Sequence, residues 1–338
     1  MIDALVVGGG PVGLVSALRL HRAGLDVRVV EHRASPIDKA CGEGLMPAAV
    51  RVLDDLGVRV GGRAFTGIRY LDQRRSVFAP FTAGPGRGVR RTELQTALEQ
   101  AVVDRGISIE RAPVTAVDQD DGSVTAAGIS ARYLVAADGL HSPIRRRLGL
   151  ERPAGGRHRW GQRRHYQLRP WSDAVEVYWA AQAEAYVTPV GDDQLGVAVL
   201  TDRRASFEQI LQGFPQLTDR LAGAAGGPVR GAGPLRQTAV RRREGRVLLV
   251  GDAAGYVDAL TGEGLAVGFA AAAALAECLA ADAPEQYEKR WRSVSRTSRL
   301  LTEGLLFAAQ NRLIRRTIVP ASARMPWAYQ RIVNQLAG

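Results

Sequence analysis

The chain predicts an α/β fold in which a parallel sheet with flanking helices is interrupted by an antiparallel sheet and followed by a run of helices. Three observations predict it. Three short runs rich in apolar residues, Ile2 to Val7, Tyr133 to Ala137 and Arg246 to Val250, each lead into a turn carrying Gly or Asp, as strands of a buried parallel sheet do. Between His158 and Leu200 the pattern changes to period-two alternation, in the runs Trp160 to Leu168, Val175 to Trp179, Ala185 to Val190 and Leu195 to Leu200. That is the signature of antiparallel strands with one buried face. From Pro284 onward the pattern is helical to the end.

The first strand runs into Gly8-Gly9-Gly10-Pro11-Val12-Gly13, after which Leu14, Ala17, Leu18 and Leu20 recur at helical spacing. Gly8 and Gly10 leave room for positive φ and for close approach of a pyrophosphate, while Gly13 lets helix and strand pack tightly. The free N–H groups and positive dipole at the helix start suit phosphates. Asp26 to Val30 form the next strand and end in Glu31, where a carboxylate can accept both ribose hydroxyls of an adenosine. His32 and Arg33 follow it directly and belong with Val114 to the same candidate set. A glycine fingerprint alone is a weak signal; the flanking strands and the terminal acid turn it into a Rossmann-like dinucleotide site.

Two later segments specify the dinucleotide. The mid-chain strand leads into Asp138-Gly139-Leu140-His141-Ser142-Pro143-Ile144-Arg145, and the late strand into Gly251-Asp252-Ala253-Ala254-Gly255, followed by Thr261-Gly262-Glu263-Gly264-Leu265 and an Ala-rich helix. In these motifs and their order, from Val7 to about Arg299, the chain resembles the flavoprotein aromatic hydroxylase superfamily. The resemblance implies a hydroxylase-type FAD-binding domain. It places Asp252 on the ribityl hydroxyls of FAD, since an anion would be repelled by the phosphates. It lays Gly262, Gly264 and Leu265 against the flavin ring, with the helix start at the pyrimidine edge, where a positive dipole end favours the anionic reduced flavin. Arg91, opening the Arg91-Thr92-Glu93-Leu94-Gln95-Thr96-Ala97-Leu98 helix, either reaches the cofactor, as the resemblance implies, or is a solvated helix-end arginine. The Asp138-Gly139 segment is implied to serve both FAD and a transient nicotinamide.

Departures from the hydroxylase pattern point to a second chemistry. Gly255 and Glu263 look like the geranylgeranyl reductase branch, although Ala259 stands where that branch commonly has proline. Lys39-Ala40-Cys41-Gly42-Glu43-Gly44-Leu45 resembles that branch's flavin-proximal Cys-Gly segment. Cys41 is therefore either a thiol that tunes the flavin or a small buried residue in a glycine turn. The Trp-x-Trp-x-Ile pattern of flavin halogenases is absent and the only lysines are Lys39 and Lys289, so halogenation is not expected.

Composition bounds the rest. A chain of 338 residues with 46% hydrophobic content buries a sizeable core. Two cysteines, Cys41 and Cys278, offer no disulfide framework, which places the expected setting in a reducing cytoplasm. Met1 to Leu20 lacks a basic start and is accounted for by the nucleotide-binding unit rather than by a signal peptide. The apolar stretch Gly264 to Ala276 is too short to span a bilayer. The net charge of +11 is nearly all scattered arginine with no nucleic-acid module beside it, so nucleic acid is not an expected partner. Attraction to an acidic carrier protein or, peripherally, to an anionic membrane stays open. No metal cluster is expected.

These readings divide the chain into a discontinuous FAD-binding domain (1–62, 91–155 and 235–283), a substrate domain (63–90 and 156–234) and a C-terminal helical segment (284–338). Phe65 to Phe81 reads as a hairpin leaving the cofactor domain, and Ser206 to Leu221 as two short helices. Tyr166, Tyr178, Tyr186 and Thr188 either face a substrate pocket over the flavin or are ordinary sheet residues. Gly84 to Gly88 and Gly226 to Gly231 lack the strand and helix of a second dinucleotide site, so electrons are expected from transiently bound NAD(P)H or a separate reductase. The expected function is an FAD-dependent monooxygenase for a small apolar or aromatic, polyketide-like molecule. The alternative is a flavin-dependent reductase of isoprenoid double bonds; a flavin-binding protein without turnover stands last.

Overall fold

A computed structural model describes residues 1–153, 155 and 158–338. Among the described residues, one of two eight-stranded sheets runs in the order Arg243–Glu244, Val247–Leu249, Ile129–Ala136, Ile2–Val7, Val27–Val30 and Ser108–Glu110, with Val124–Ala126 and Asp118–Gln119 branching from Ile129–Ala136. Its five inner and far-edge strands are parallel, with Val7 opposite Ala136 on one side and Val30 on the other. Leu5, Val6, Val29, Leu134, Val135 and Leu248 are fully buried, which is why these runs read as continuous apolar stretches. Helix Pro11–Arg22 lies on the sheet, and helix Gly264–Ala280 packs against that helix by alanine and glycine: a Cβ at Gly268 would stand 2.5 Å from a Val12 methyl.

The second sheet runs Ala225–Gly226, Trp160–Gln167, Gln194–Thr201, Ala183–Pro189, Val175–Trp179, Gly67–Leu71, Ser76–Pro80. It is antiparallel except at one seam, where Val175–Trp179 pairs parallel with Gly67–Leu71, Val177 lying opposite Tyr70. Those strands come from segments about a hundred residues apart and are not joined by a hairpin, so nothing forces them antiparallel. The Gly67–Leu71 and Ser76–Pro80 hairpin, read from sequence as leaving the cofactor region, is the far edge of this sheet.

Sequence reading missed a third, three-stranded sheet of Gly44–Leu45, Gly86–Gly88 and Arg63–Phe65, and the helix Pro47–Asp55 behind it. Strands of two or three residues carry no legible period. The glycine-rich 84–88 stretch forms the central strand because Gly86 packs beneath the Phe65 ring and Gly88 against the Pro189 carbonyl, leaving no room for a side chain at either.

Alternation splits the second sheet into two faces. Tyr166, Tyr178, Ala185, Val187 and Val197 pack against helices Phe207–Leu211 and Pro215–Leu221. Val175, Val177, Trp179 and Leu200 pack on the opposite face with Phe65, Leu260, Leu306 and Val319. The C-terminal part is helical as expected, in segments Tyr287–Gln310, Arg312–Arg315, Ile318–Arg324 and Pro326–Ala337. Among the described residues no helix is long and apolar enough to cross a membrane.

Candidate functional site

Close packing at the first turn requires glycine. Gly8 has φ +113°, and a Cβ there would lie 2.3 Å from the Ala137 carbonyl oxygen; at Gly13 it would lie 1.9 Å from the Gly8 oxygen. Strand, turn and helix are locked together at the carboxyl ends of two parallel strands. Gly10 differs, because the one neighbour of a Cβ there is Arg91 Nη2 at 3.6 Å. The space before the turn is open. Pro11 begins the helix and no side chain caps it, so the N–H groups of Val12 and Gly13 have no intrahelical acceptor and an anion can take them. Gln95, fully buried, holds the turn from behind by donating to the Gly9 carbonyl.

Glu31 is 6% exposed. The Gly9 N–H donates to Oε2 at 2.8 Å, and Arg33 donates its N–H and Nε to Oε1 and its Nη2 to Oε2, each at 2.9 Å. His32 Nδ1 lies 3.2 Å from Oε1. Burial pushes this carboxyl up, but the Arg33 guanidinium and the two backbone donors outweigh it and hold Glu31 at about 2. It is a permanently ionised acceptor, with Arg33 and His32 as its partners.

At the mid-chain segment, Asp138 accepts the Ile144 N–H at 3.1 Å through Oδ2, while its buried Oδ1 has no partner. Burial raises its pKa, against the hydroxyl of Ser142 and nearby N–H groups. Gly139 has φ +87°. Val114 packs on the main core, and its carbonyl accepts from Arg147 at 2.9 Å beside this segment. Arg145 carries a role the sequence did not disclose. It is wholly buried and donates to the carbonyls of Leu140 (3.0 Å) and Ala253 (3.0 Å) and to Gln237 Oε1 (2.9 Å), with a longer bond to the Asp252 carbonyl (3.4 Å). One guanidinium ties the mid-chain turn to the late turn.

At the late segment, Gly251 has φ +62° and abuts Val12. The Asp252 carboxylate meets Lys39 Nζ at 3.4 Å, and Lys39 also comes within 3.9 Å of where a Cβ at Gly139 would be. Gly262 has φ +72° with open space about it, Gly264 lies against the Tyr256 ring, and Leu265 packs on the main core. Glu263, immediately before the helix, is 5% exposed with Oε1 unpartnered. Burial pushes its carboxyl up to about 7, partly offset by the hydroxyls of Thr261 and Ser298. The 258–264 loop is pinned by the second sheet: Tyr186 donates its hydroxyl to the Leu260 carbonyl at 2.8 Å, and Arg159 bridges Asp258 and Glu184.

Arg91 is 9% exposed, not a solvated helix-end arginine. Its Nε has no acceptor; burial depresses its pKa, which Cys41 and Asp252 partly restore. Cys41 stands beside it. Burial pushes that thiol up, with Arg91 pulling the other way, so the sulfur keeps its proton at neutral pH. Gly42 presents its carbonyl to the Thr188 hydroxyl at 2.8 Å. Of the sheet residues considered for a substrate, Thr188 and Tyr186 thus lie on the face toward these loops. Tyr178 and Tyr166 do not: both sit on the far face, Tyr178 donating to Glu176 at 2.7 Å. Side chains alternate along a strand, and Glu184, Tyr186 and Thr188 share one face of theirs while Tyr178 falls on the other face of its neighbour.

A cleft open at Gly10, an uncapped helix start, an unpartnered buried Nε on Arg91 and an unpartnered Oδ1 on Asp138 are what a dinucleotide with hydroxyls and phosphates would satisfy. The donor and acceptor set fits FAD. Residues 1–199 match the model of the FAD binding domain. The chain belongs to the FAD binding domain family. Within that family it is 30% identical over 312 residues to the menaquinone reductase of Mycobacterium tuberculosis, covering 82% of this chain and 76% of that protein. It is 28% identical to the para-nitrophenol 4-monooxygenase of a Pseudomonas species, covering 82% and 77%. The fold matches a flavin-dependent halogenase at a TM-score of 0.80 and 23% identity, covering 89% of this chain and 62% of that one. It also matches a flavoprotein/dehydrogenase from Cytophaga hutchinsonii at 0.79 and 18%, covering 99% and 97%. The cofactor of the family is FAD, and the chain is an FAD-dependent oxidoreductase.

Proposed function

We propose that the chain is an FAD-dependent monooxygenase acting on a small apolar or aromatic molecule, with electrons from transiently bound NAD(P)H or from a separate reductase. The observation that carries this reading is the dinucleotide-type site of Gly8 to Gly13, Glu31, Arg91 and Asp138 in a chain whose relatives include a para-nitrophenol 4-monooxygenase; the second sheet beside it is apolar on its loop-facing side. Val175, Val177, Trp179 and Leu200 lie there with Leu260 of the 258–264 loop. The neighbouring charges close on one another: Arg159 on Asp258 and Glu184, and Arg315 on Glu184 and the carbonyls of Ala183 and Ala309. The apolar side chains are themselves buried against Phe65, Leu306 and Val319, so they give the 258–264 loop an apolar, water-free support.

Gly10, Val12 and Gly13 would hold the pyrophosphate, Glu31 the adenosine ribose, and Asp252, now paired with Lys39, the ribityl hydroxyls. Arg91 and Cys41 would face the cofactor from the helix and the turn, and the N–H groups at Gly264 and Leu265 would be the donors available to its ring. FAD, when bound, supplies the redox chemistry that no side chain here can provide. Tyr186 fixes the loop rather than the substrate, through its bond to Leu260.

One observation favours a reductase instead. Cys41 lies beside Arg91 in the Lys39 to Leu45 segment that resembles the reductase branch, and saturating a carbon–carbon double bond requires a proton donor beside the hydride. Relatives named menaquinone reductase and digeranylgeranylglycerophospholipid reductase 1 accord with it. Turnover of alkylphenols and naphthols with NADPH under ¹⁸O₂, beside turnover of prenylated quinones and isoprenoid lipids, separates the two. Incorporation of one labelled oxygen atom supports the monooxygenase. Product that gains two hydrogens under strict anaerobiosis with a chemical reductant refutes it and establishes the reductase.

A further inference from the structure

Behind the Cys41 turn lies a buried polar chain that the flavin chemistry does not by itself call for. Glu43 is 3% exposed and adopts φ +59°, a conformation L residues with a side chain rarely take. Such strain persists only where the surroundings over-determine it, and here every polar group of Glu43 is engaged. Its N–H meets Cys41 Sγ at 3.4 Å, and its carbonyl accepts the Val89 N–H at 2.9 Å. Carboxylate Oε1 accepts the N–H of Arg91 at 2.9 Å, and Oε2 lies 2.6 Å from His165 Nε2.

His165 is oriented in turn. Arg163 Nη1, which can only donate, lies 3.0 Å from His165 Nδ1, so Nδ1 is the acceptor and Nε2 carries the proton given to Glu43. Arg163 also pairs with Asp38, which accepts Arg230 Nε at 2.9 Å. Room for this arrangement is made by Gly196, where a Cβ would fall 2.9 Å from Glu43 Oε2. Arg163, His165, Thr188 and Gly196 all belong to the second sheet, whereas Cys41 and Arg91 belong to the cofactor cleft.

We propose that Glu43 is a positioning residue that couples the second sheet to Cys41 and Arg91, the two groups presented to the flavin. This rests on the reading of Cys41 and Arg91 as cofactor-facing. The single carboxylate sets the Arg91 helix start with one oxygen and is held by the sheet through the other, while its backbone N–H fixes the thiol. A shift of the sheet at His165 is therefore felt at both flavin-facing groups.

The test uses full-length protein in a Cys278→Ser background. Cys41 alkylation by iodoacetamide is timed without and with FAD, alongside FAD affinity and the flavin visible spectrum. In Glu43→Gln the amide still accepts from Arg91, but its NH₂ opposes the His165 N–H, and turning the imidazole over would oppose Arg163. We expect alkylation of the flavin-free protein to accelerate and FAD to bind more weakly, each by about tenfold, the scale of one lost charged hydrogen bond. His165→Ala should shift both in the same direction, and the double variant should be no worse than Glu43→Gln, because the two act as one unit. Thermal stability of the flavin-free His165→Ala protein should fall, because Glu43 Oε2 is left buried without its donor. His165→Gln, whose amide N–H can still donate to Glu43, should restore alkylation rate and FAD affinity toward wild type, and it carries the test should the other variants fail to fold. Unchanged alkylation and spectrum in Glu43→Gln and His165→Ala, or strictly additive effects, would overturn the coupling. Failure of FAD to protect wild-type Cys41 overturns the cofactor-facing reading instead, and the proposal with it; that result is visible without any Glu43 variant.

Discussion

Arg145 is the residue whose loss should most expose how the cleft is assembled. Its guanidinium is wholly buried and makes three hydrogen bonds of 3.0 Å or less, to Leu140, Ala253 and Gln237. Methionine in its place fills much of the volume but leaves three buried acceptors without donors. A hydrogen bond to a charged group contributes about 1.5–3 kcal/mol, and the three share one side chain, so they do not simply add. A buried acceptor left unsatisfied costs about 1–3 kcal/mol, and with three acceptors affected together we expect Arg145→Met to lose roughly 3–5 kcal/mol. Because the bonds span the Asp138 and Asp252 turns, FAD affinity should fall as well. Urea unfolding of the flavin-free protein followed by circular dichroism measures the first effect, and FAD titration the second. A loss below about 1 kcal/mol with unchanged FAD affinity would refute the bolt, since surface-like substitutions stay within about half a kcal/mol.

Gly13→Ala should abolish stable folding, because its Cβ would meet the Gly8 carbonyl at 1.9 Å, while Gly10→Ala should fold normally and lose FAD; equal stability of the two variants by thermal melting contradicts this. Cys41→Ser should keep fold and FAD yet shift the flavin absorption or slow its reduction, whereas Cys278→Ser, on the core-facing side of the Ala-rich helix, should change neither in stopped-flow and spectral measurements. Burial raises Glu263 from 4.5 to about 7, so the folded protein holds a proton that the unfolded chain releases. Its stabilisation is complete below pH 4.5 and is lost as pH rises through 7. Glu263→Gln should therefore match wild type in melting temperature near pH 4.5 and exceed it at pH 8; a constant offset across that range would show that ionisation is not the cause.

The parallel sheet and its glycine turn were legible because buried parallel strands are continuous apolar runs and the Gly8 and Gly13 contacts tolerate no side chain. Glu31 was legible by its place at a strand end, but not its embrace by Arg33, which depends on the path of the chain after the strand. Arg145 stood within a recognised segment without a role, since a bolt between turns about a hundred residues apart leaves no local pattern. Tyr178 was grouped with Tyr186 by chemistry; alternation places them on opposite faces, and only the register across Val177 and Tyr186 decides which face meets the cofactor loops. Glu43 looked like part of a glycine-rich turn. Its partners His165 and Arg163 lie on a distant strand, and nothing in sequence spacing brings them together.

The measurement that bears most directly on a single FAD site built from three distant segments is a titration of flavin-free protein with FAD and, separately, with FMN, in wild type, Glu31→Ala and Asp252→Ala. We predict saturation at one FAD per chain, much weaker binding of FMN because it lacks the adenosine half, and a loss of FAD affinity in both variants, with Glu31→Ala leaving the bound flavin's spectrum unchanged. Absence of FAD binding by the wild type, or equal affinity for FMN and FAD with no effect of either substitution, would contradict it.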